Sequence, residues 1–226
     1  SRRAVEELIT SGRISINGKK VTVLGTLVDE NDSVALDGSP VRPIGQRYYI
    51  VLHKPRGYIT TVSDDRDRPT VMDIVPEKYR RNGVFPVGRL DRDTSGLLLL
   101  TNDGDLAFRL SKPRFHVAKE YIAALDRPLD EADRIKISRG LYLPQLELKT
   151  RPAQVECVDE ARLLVRVVLT EGKNRQVRYS FMILGYRVRS LERTAYGSLS
   201  LKRLKKGEHR HCTDAEVRML KKMAGL

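Results

Sequence analysis

A loop rich in charged and hydroxyl side chains lies between two short apolar runs, Val84 to Val87 and Leu97 to Leu100. A short, continuous apolar run bounded by turn-forming residues is typical of a strand buried on both faces. Gly88 and Gly96 bracket the loop, and glycine permits backbone conformations and close approaches that other residues do not. The sequence therefore predicts that Asp91 lies on a loop held rigidly between two buried strands, as a chemical site requires.

The same loop also has a purely structural interpretation. Its polar residues are Arg89, Asp91, Arg92, Asp93, Thr94 and Ser95. In this interpretation Asp91 pairs with Arg89 or Arg92 in a polar hairpin loop, since structural ion pairs are common. Spacing alone leaves both interpretations open.

The charge of the chain points to a polyanionic partner. Its 226 residues carry 42 Lys and Arg against 29 Asp and Glu, a net charge of +13. The excess is localised, because residues 166–226 carry 15 basic and 5 acidic side chains whereas residues 1–43 carry 6 of each. A localised basic excess favours nucleic acid as the partner, with a generally basic surface as the alternative.

Other classes of protein are disfavoured. No apolar run approaches the roughly 20 residues of a membrane helix, so no membrane association is expected. Cys157 and Cys212 are far apart and match no metal-binding pattern, which favours a reduced, cytoplasmic protein without a disulfide framework. The chain starts at Ser1 without a secretory signal or an initiating Met, from which we expect a trimmed or incomplete N-terminus.

Residues 1–43 predict a small α/β module. Apolar spacing predicts a helix over Ser1 to Ser11. An alternating segment then turns at Asn17-Gly18, a strong hairpin signal, and further strands are expected at Val21 to Val23 and Asp32 to Gly38. Val41 to Gln46 is the expected linker, since it contains proline and glycine.

Residues 47–226 predict a larger α+β domain. Strands are expected at 48–54, 84–87, 97–100, 116–125 and 186–194, and an antiparallel meander at 141–149, 153–158 and 162–170. Helices are expected at 105–111 and at 130–139, the segment from Glu171 to Arg178 leads into a further helix that runs through Leu184, and a final helix is expected from 213 onwards. Asp105 is the expected cap of the first of these helices, and Thr213 with Glu216 forms a capping box for the last.

Two basic features suggest contacts with phosphate. Arg187, Arg189 and Arg193 stand at alternating or near-alternating positions of one strand, so they would share a face and form a phosphate track. The turn Lys54-Pro-Arg-Gly57 follows another strand, and it is either a phosphate contact or an ordinary turn.

Three separated segments then form a pattern. The sequence GRLDRDTSGLLLLTNDG around Asp91 is followed by Lys119-Glu-Tyr121 and by EGKNRQVR, which ends at Arg178. In this order they resemble the pseudouridine synthases of the small- and large-subunit ribosomal RNA type, over nearly the whole chain. The resemblance implies a pseudouridine synthase fold over residues 47–226, with a mixed, mainly antiparallel central sheet and flanking helices.

The resemblance also implies roles for three residues. Asp91 matches the catalytic aspartate, Tyr121 the tyrosine that stacks on the target base, and Arg178 the basic residue paired with the aspartate. An adjacent arginine favours an ionised carboxylate, and an aromatic ring offsets the stacking lost by a flipped-out base. Breaking the glycosidic bond and rejoining uracil through carbon 5 needs no redox step or group donor, so no metal or cofactor is expected. The family usually has a second arginine and a methionine after Arg178, whereas this chain has Tyr179-Ser-Phe181.

The N-terminal module resembles the second half of an S-four-type RNA-binding domain. There a helix beginning near Ser-Arg-Arg and a Gly-Arg-Ile-x-Ile-Asn-Gly hairpin form the RNA-facing surface. The family's first helix is missing, so we expect a truncated module over residues 1–43. The expected RNA contacts are Arg2, Arg3, Arg13, Lys19 and Lys20 in this module, and Lys54, Arg56, Arg89, Lys173, Arg175, Arg187 and Arg189 in the larger domain.

The expected function is the isomerisation of a specific uridine in ribosomal RNA by a monomeric, cytoplasmic enzyme. Large-subunit RNA is preferred because NGVFPVGRLD and RTAYGSLSL are closer to those members of the family. The main alternative is a non-catalytic RNA-binding factor for ribosome assembly on the same fold. An RNA-cleaving enzyme is a more remote alternative, against which the lack of a histidine pair or metal-ligand cluster counts.

Overall fold

The computed structural model describes residues 2–29, 31–41 and 45–226, and of Arg2 and Arg3 only the backbone. The chain divides into two compact units, 1–46 and 47–226. The predicted linker from Val41 to Gln46 overlaps this division, although its residues 42–44 lie outside the described part.

The first unit consists of a helix followed by a small antiparallel sheet. Its elements are α1 (Arg2–Thr10), β1 (Ile14–Ile16), β2 (Lys19–Val21), β3 (Val34–Leu36) and β4 (Ser39–Pro40), with the strand order β2-β1-β3-β4. Asn17 and Gly18 both have positive φ, 50° and 77°, as a two-residue hairpin turn between β1 and β2 requires. The predicted hairpin is confirmed, but its second strand lies at Lys19–Val21 rather than at Val21 to Val23.

The second unit contains the other elements. Its strands are β5 (Tyr49–Lys54), β6 (Phe85–Pro86), β7 (Ser95–Thr101), β8 (Lys119–Leu125), β9 (Tyr142–Leu143), β10 (Leu148–Lys149), β11 (Gln154–Cys157), β12 (Leu164–Leu169), β13 (Val188–Tyr196), β14 (Leu199–Ser200) and β15 (His209–His211). Its helices are α2 (Glu77–Arg81), α3 (Gly104–Ser111), α4 (Glu131–Arg139), α5 (Gln176–Met182) and α6 (Asp214–Met223), with short 3-10 turns at Val71–Ile74, Pro113–Phe115 and Pro144–Leu146. Within the described ranges, no helix has both the length and the apolar character needed to cross a bilayer.

One large sheet organises this unit. Its strand order is β11-β12-β8-β13-β7-β5-β15, with β14 beside β13 and β6 beside β7. The β7–β13 pair is parallel and the other strand pairs are antiparallel, which confirms the predicted mixed, mainly antiparallel sheet. The predicted meander is wrong in one part: residues 141–149 form a separate ribbon, because β9 and β10 pair with each other across the Pro144–Leu146 turn.

Strand β7 is the buried centre of the sheet. The side chains of Leu97 to Leu100 are fully buried, as predicted. Leu97 and Leu99 pack in a core with residues of α3 and α6, while Leu98 and Leu100 pack on the other face in a core that includes Tyr79 of α2. Burying each leucine contributes about 1.5–3 kcal/mol, so both faces of the sheet stabilise the strand that follows the Asp91 loop.

Three helices of the second unit, α3, α4 and α6, begin after a residue whose side chain caps them. Thr213 and Glu216 form the predicted capping box of α6. The carboxylate of Asp130 accepts the backbone N–H of Ala132 at 2.8 Å and caps α4. Helix α3 is capped by Asp103 rather than by Asp105, because the helix begins at Gly104 and places the later carboxylate inside its first turn.

Gly96 is required where β7 and β13 pair in parallel. It lies opposite Arg193 in the register of these strands. Its φ is +121°, and a Cβ at this position would overlap the backbone nitrogen and carbonyl oxygen of Arg193. Any larger residue must therefore separate the two strands at the junction beside the Asp91 loop.

We expect Gly96→Ala to lower the free energy of unfolding by at least about 3 kcal/mol. The left-handed backbone costs an L residue about 1–2 kcal/mol, and overpacking adds about 1–3 kcal/mol. Gly83→Ala is the matched control, since Gly83 has φ +68° but a Cβ added there would meet no neighbouring atom within 4 Å. Urea denaturation of both variants measures the difference, and equal losses would show that the close approach to Arg193 is unimportant.

Candidate active site

A buried lysine holds the backbone of the Asp91 loop through hydrogen bonds. Lys54 ends β5, its side chain is fully buried, and its Nζ donates to the carbonyl oxygens of Pro55 at 3.1 Å, Asp91 at 3.0 Å and Thr94 at 2.8 Å. Burial lowers the pKa of Lys54 to about 8, although the carboxylates of Asp91 and Asp93 oppose this shift. The prediction that Lys54 contacts RNA is therefore wrong, because its ammonium group is enclosed by the loop backbone.

The turn after Lys54 also supports the loop. The N–H of Gly57 donates to the carbonyl oxygen of Arg92 at 2.8 Å, and Nε of Arg92 donates to the carbonyl oxygen of Gly57 at 3.1 Å. The Thr60 hydroxyl donates to the carbonyl oxygen of Leu90 at 2.7 Å. The turn from Lys54 to Gly57 is thus a structural support. Within it, Arg56 is exposed and lines a cavity that is described below as the second cavity.

A cavity of about 370 Å³, the first cavity, lies beside the loop. Its lining includes Asp91, Tyr121, Arg89, Lys173 and Arg175, so the structure brings together two of the three predicted catalytic residues and three predicted RNA contacts. The volume lies within the usual range for small-ligand sites. Tyr121 lies on β8, is partly buried, and packs against apolar cores on both sides.

An ion-pair cluster borders this cavity. Arg175 binds both carboxylate oxygens of Asp93, at 3.0 and 3.1 Å, and its Nη1 lies 3.8 Å from Oδ2 of Asp91. Arg178 lies 3.3 Å from the Asp93 carboxylate through Nε and donates to the Asp93 carbonyl oxygen at 3.0 Å. Its third contact is the carbonyl oxygen of Val188, at 3.1 Å.

These contacts correct the predicted pairing of Arg178 with Asp91. Arg178 pairs with Asp93, and Arg175 is the arginine that approaches Asp91. The reason is the start of α5, where Arg175 adopts a left-handed conformation with φ 49° and precedes the helix. One turn separates the two arginines, so they reach the loop at different carboxylates.

In the ion-pair cluster, burial and the charge of the ion-pair partner act in opposite directions on the pKa of Asp93 and on that of Arg178. Burial raises the pKa of Asp93, but the hydrogen bond from Arg175 and the charges of Arg178 and Arg175 lower it by more, so the net shift is downward. Burial lowers the pKa of Arg178 while Asp93 opposes that shift, and an arginine remains protonated in proteins. Asp93 therefore holds both guanidinium groups, and a cationic group remains beside Asp91.

A second cavity, of about 520 Å³, lies on the other side of this cluster. Four arginines, Arg56, Arg178, Arg187 and Arg189, line it together with Asp93 and with Arg175, which borders both cavities. Such a concentration of guanidinium groups is suited to phosphate oxygens.

Arg193 does not belong to this second cavity. The prediction that it shares a face with Arg187 and Arg189 is wrong, because a bulge lies between Val188 and Ser190 in the pairing of β13 with β8. One extra residue in a strand reverses which positions face each side. Arg193 is only 2% exposed and lines the first cavity.

The predicted RNA contacts of the first unit are placed on its surface where they are described. Arg13 is exposed and pairs with Asp37, which offsets its charge. Lys19 and Lys20 are exposed on β2. The side chains of Arg2 and Arg3 lie outside the described part of the chain.

Sequence reasoning missed three residues of the first cavity. Lys119, Glu171 and Arg193 line it together with Asp91. The available signal for Lys119 was its position two residues before Tyr121, since alternate residues of a strand share a face. Glu120, which alternation places on the other face of the strand, forms an ion pair with Arg166 at 2.7 Å.

Comparison with known proteins decides the family. The family model for RNA pseudouridylate synthase matches residues 48–182, and that for the S4 domain matches residues 1–34. The chain belongs to the RNA pseudouridine synthase family. It is 39% identical to the ribosomal large subunit pseudouridine synthase B of Bacillus subtilis, over 99% of this chain and 91% of the relative.

Two further members of the pseudouridine synthase family are similar over almost the whole chain. An uncharacterized RNA pseudouridine synthase of Mycobacterium leprae is 42% identical, over 100% of this chain and 89% of that protein. A solved crystal structure of a pseudouridylate synthase superposes with a TM-score of 0.72 at 30% identity, covering 97% of this chain and 94% of the other. The predicted fold and enzyme family are confirmed.

We expect Lys54→Met to lower the free energy of unfolding by about 2–5 kcal/mol. The carbonyl oxygens of Asp91 and Thr94 would lose their buried donor, and each unsatisfied group costs about 1–3 kcal/mol. Because Lys54 is enclosed, the salt dependence of RNA binding should not change. The exposed Lys20→Met variant should show the opposite pattern: near-wild-type stability in urea denaturation and a reduced salt dependence. A reduced salt dependence in Lys54→Met would contradict the assigned role of Lys54.

Proposed function

We propose that this protein converts a specific uridine of ribosomal RNA, in the large subunit, to pseudouridine, with Asp91 as the acting carboxylate. The observation that carries the proposal is the position of Asp91 on the first cavity, beside Tyr121 and 3.8 Å from a guanidinium nitrogen of Arg175. The large-subunit target is supported by the name of the Bacillus subtilis relative and by the segments NGVFPVGRLD and RTAYGSLSL.

The reaction needs a carboxylate fixed beside the target nucleotide. The bond between ribose and nitrogen 1 of uracil breaks, the base rotates, and carbon 5 bonds to the ribose in its place. Asp91 attacks the ribose, attacks carbon 6 of the base, or assists a route through a glycal. All three routes require the same rigid placement, which the hydrogen bonds from Lys54 and Thr60 to the loop backbone supply.

The neighbouring side chains take supporting roles in this proposal. Tyr121 stacks on the uracil that has left the RNA helix, and its hydroxyl serves in proton transfer. Arg175 holds the Asp91 loop through Asp93 and provides the positive charge beside the reacting carboxylate. Arg89 is exposed at the cavity, where it binds a phosphate or positions the loop.

The RNA backbone follows the arginines of the second cavity. Arg56, Arg187 and Arg189 are exposed there, and Lys173 extends the basic surface at the first cavity. The S-four-type module adds Lys19, Lys20 and Arg13, with Arg2 and Arg3 on its helix. In this proposal the enzyme acts as a monomer in the cytoplasm and uses no cofactor.

We expect Asp91→Asn to lower pseudouridine formation at least about 10³-fold, since it removes the reacting carboxylate. The measurement is release of tritium from carbon 5 of uridine in ribosomal RNA transcripts and in partly assembled subunits, followed by mapping of the modified position. RNA affinity should stay within about threefold, because the substituted group contacts no phosphate in this proposal.

Asp93→Asn is the matched control for this experiment, since it makes the same change of charge two residues along the same loop. Asp93→Asn weakens the ion pairs that hold Arg175 and Arg178. We therefore expect a smaller loss of pseudouridine formation, within about 10²-fold. Release that survives Asp91→Asn but not Asp93→Asn would show that Asp91 is the wrong carboxylate. Tight binding without release by the wild type would favour the assembly-factor alternative.

We expect Arg187→Gln and Arg189→Gln each to reduce the salt dependence of RNA binding by one phosphate contact. This corresponds to a change of about 0.7–0.9 in the slope of log K against log salt concentration. Arg162→Gln is the control, because Arg162 pairs with Glu131 and lines neither cavity. Filter binding over a series of salt concentrations measures the slopes, and unchanged slopes in both variants would exclude the second cavity from the RNA interface.

A further inference from the structure

The first cavity contains a buried guanidinium group with an unused donor. Arg193 is 2% exposed and lines the cavity. Its Nε donates to the carbonyl oxygen of Leu97 at 2.8 Å. Its Nη2 is buried and has no hydrogen-bond partner among the described residues. Since a buried charged donor without a partner costs free energy, this group is arranged for an acceptor that enters the cavity.

A second cation lies beside it. Lys119 lines the same cavity, and its Nζ donates to the carbonyl oxygen of Val117 at 3.0 Å, which leaves further ammonium donors. The ring of Tyr196 lies next to both cations, 5.6 Å from Nζ of Lys119 and 5.1 Å from Cζ of Arg193. The two positive groups therefore share one aromatic wall of the cavity.

The electrostatics of this pair favour an anion. Burial and the charge of Arg193 lower the pKa of Lys119 to about 8, and the carboxylate of Glu171 opposes them only in part. Two cations held close together in a partly dry cavity repel each other, and a ligand with negative charge relieves that repulsion. Gly172 lies against the lysine chain, since a Cβ there would be 3.5 Å from Cε of Lys119, and so restricts where Nζ can move.

We propose that Arg193 and Lys119 bind the carbonyl oxygens of the target uracil and stabilise the negative charge that the base acquires during isomerisation. This inference rests on the proposed function and assigns it two further substrate-contacting residues. The sequence spacing predicts Arg193 on a phosphate track instead, and for Lys119 it indicates only a strand face shared with Tyr121.

The electron balance of the reaction explains the need for these donors. When the bond between ribose and nitrogen 1 breaks, its electron pair stays on uracil and is delocalised onto oxygens 2 and 4. When the new bond forms, carbon 5 gives an electron pair to the ribose, the proton on carbon 5 leaves to a base, and nitrogen 1 gains a proton from solvent. If the carboxylate adds to carbon 6 instead, negative charge still develops on oxygen 4. Fixed donors aimed at developing charge are the most effective form of electrostatic stabilisation.

The same donors would select the base. Uracil presents two carbonyl acceptors, whereas cytosine presents an amino group in place of oxygen 4. Cytosine keeps oxygen 2, but the cationic donor that faces its amino group would have no acceptor, and such a mismatch in a buried site is strongly disfavoured.

Free bases test this inference without an RNA substrate. We would titrate the protein with uracil and with 5-nitrouracil, which is an anion at neutral pH, and follow binding by ligand-observed NMR. We expect the wild type to bind the anion at least about tenfold more tightly, as charge-assisted hydrogen bonds imply. Arg193→Met and Lys119→Met should each reduce that ratio severalfold.

Arg210→Met is the matched control. Arg210 also has a buried nitrogen without a hydrogen-bond partner, pairs with Glu216 at 2.7 Å, and does not line the first cavity. The Arg210→Met variant should prefer 5-nitrouracil over uracil by the same factor as the wild type. If circular dichroism shows that Arg193→Met does not fold, Lys119→Met decides, because it removes one of the two cations and leaves Arg193 in place. An anion preference that is absent in the wild type, or is unchanged in the folded variants, would overturn the inference.

Turnover separates this inference from the proposed function. On the RNA that the wild type modifies, we expect Arg193→Met to lower kcat about 10²-fold with KM within about threefold, because the donors act most strongly on the charged base. A wild type that prefers the anion but releases no tritium from any ribosomal RNA would contradict the proposed function and leave the cationic base site supported. Normal kcat in Arg193→Met would overturn the inference.

Discussion

The buried ammonium group of Lys54 is the interaction on which the site depends. A charged group in the core is costly unless it is fully hydrogen-bonded, and here the carbonyl oxygens of Pro55, Asp91 and Thr94 surround it. Satisfying this charge fixes the backbone of the loop at both ends of its acidic segment. Three carbonyl groups point inward to the lysine, and the carboxylate of Asp91 is left at the cavity. The buried charge therefore holds the loop rigid at the position that reacts in the proposed function.

The two aspartates of the loop have different tasks, and their partners define them. Asp93 accepts a bidentate contact from Arg175 and lies beside Arg178, so it anchors α5 to the loop. Among the described residues, the arginine nitrogen nearest to the Asp91 carboxylate is Nη1 of Arg175, at 3.8 Å. The carboxylate oxygens of Asp91 are therefore not held in a close ion pair with an arginine. In the proposed reaction Asp91 needs free carboxylate oxygens, and Asp93 makes this possible because it pairs with the guanidinium groups of Arg175 and Arg178.

Local signals predicted much of the fold, and contacts distant in sequence explain the errors. The Leu97 to Leu100 strand, the Asn17-Gly18 turn and the Thr213 capping box depend on neighbouring residues, so they are visible in the sequence. The partner of Arg178 depends on where α5 begins, and the face of Arg193 depends on a bulge in β13. Neither has a local signature. Lys54 looked like a surface cation because its acceptors in the Asp91 loop lie about 40 residues later in the chain.

In the proposed reaction, the placement of the arginines separates binding of the RNA backbone from chemistry on the base. Arg187 and Arg189 lie in the second cavity, Arg193 lies in the first, and the bulge that divides them is a single extra residue in β13. Without it, alternation would place all three on one face, and the first cavity would lose its buried donor. Arg175 borders both cavities, so in the proposed reaction it alone of these arginines links the held backbone to the reacting carboxylate. A one-residue irregularity in a strand is thus sufficient to divide one basic stretch of sequence between two cavities, to which the proposal gives different functions.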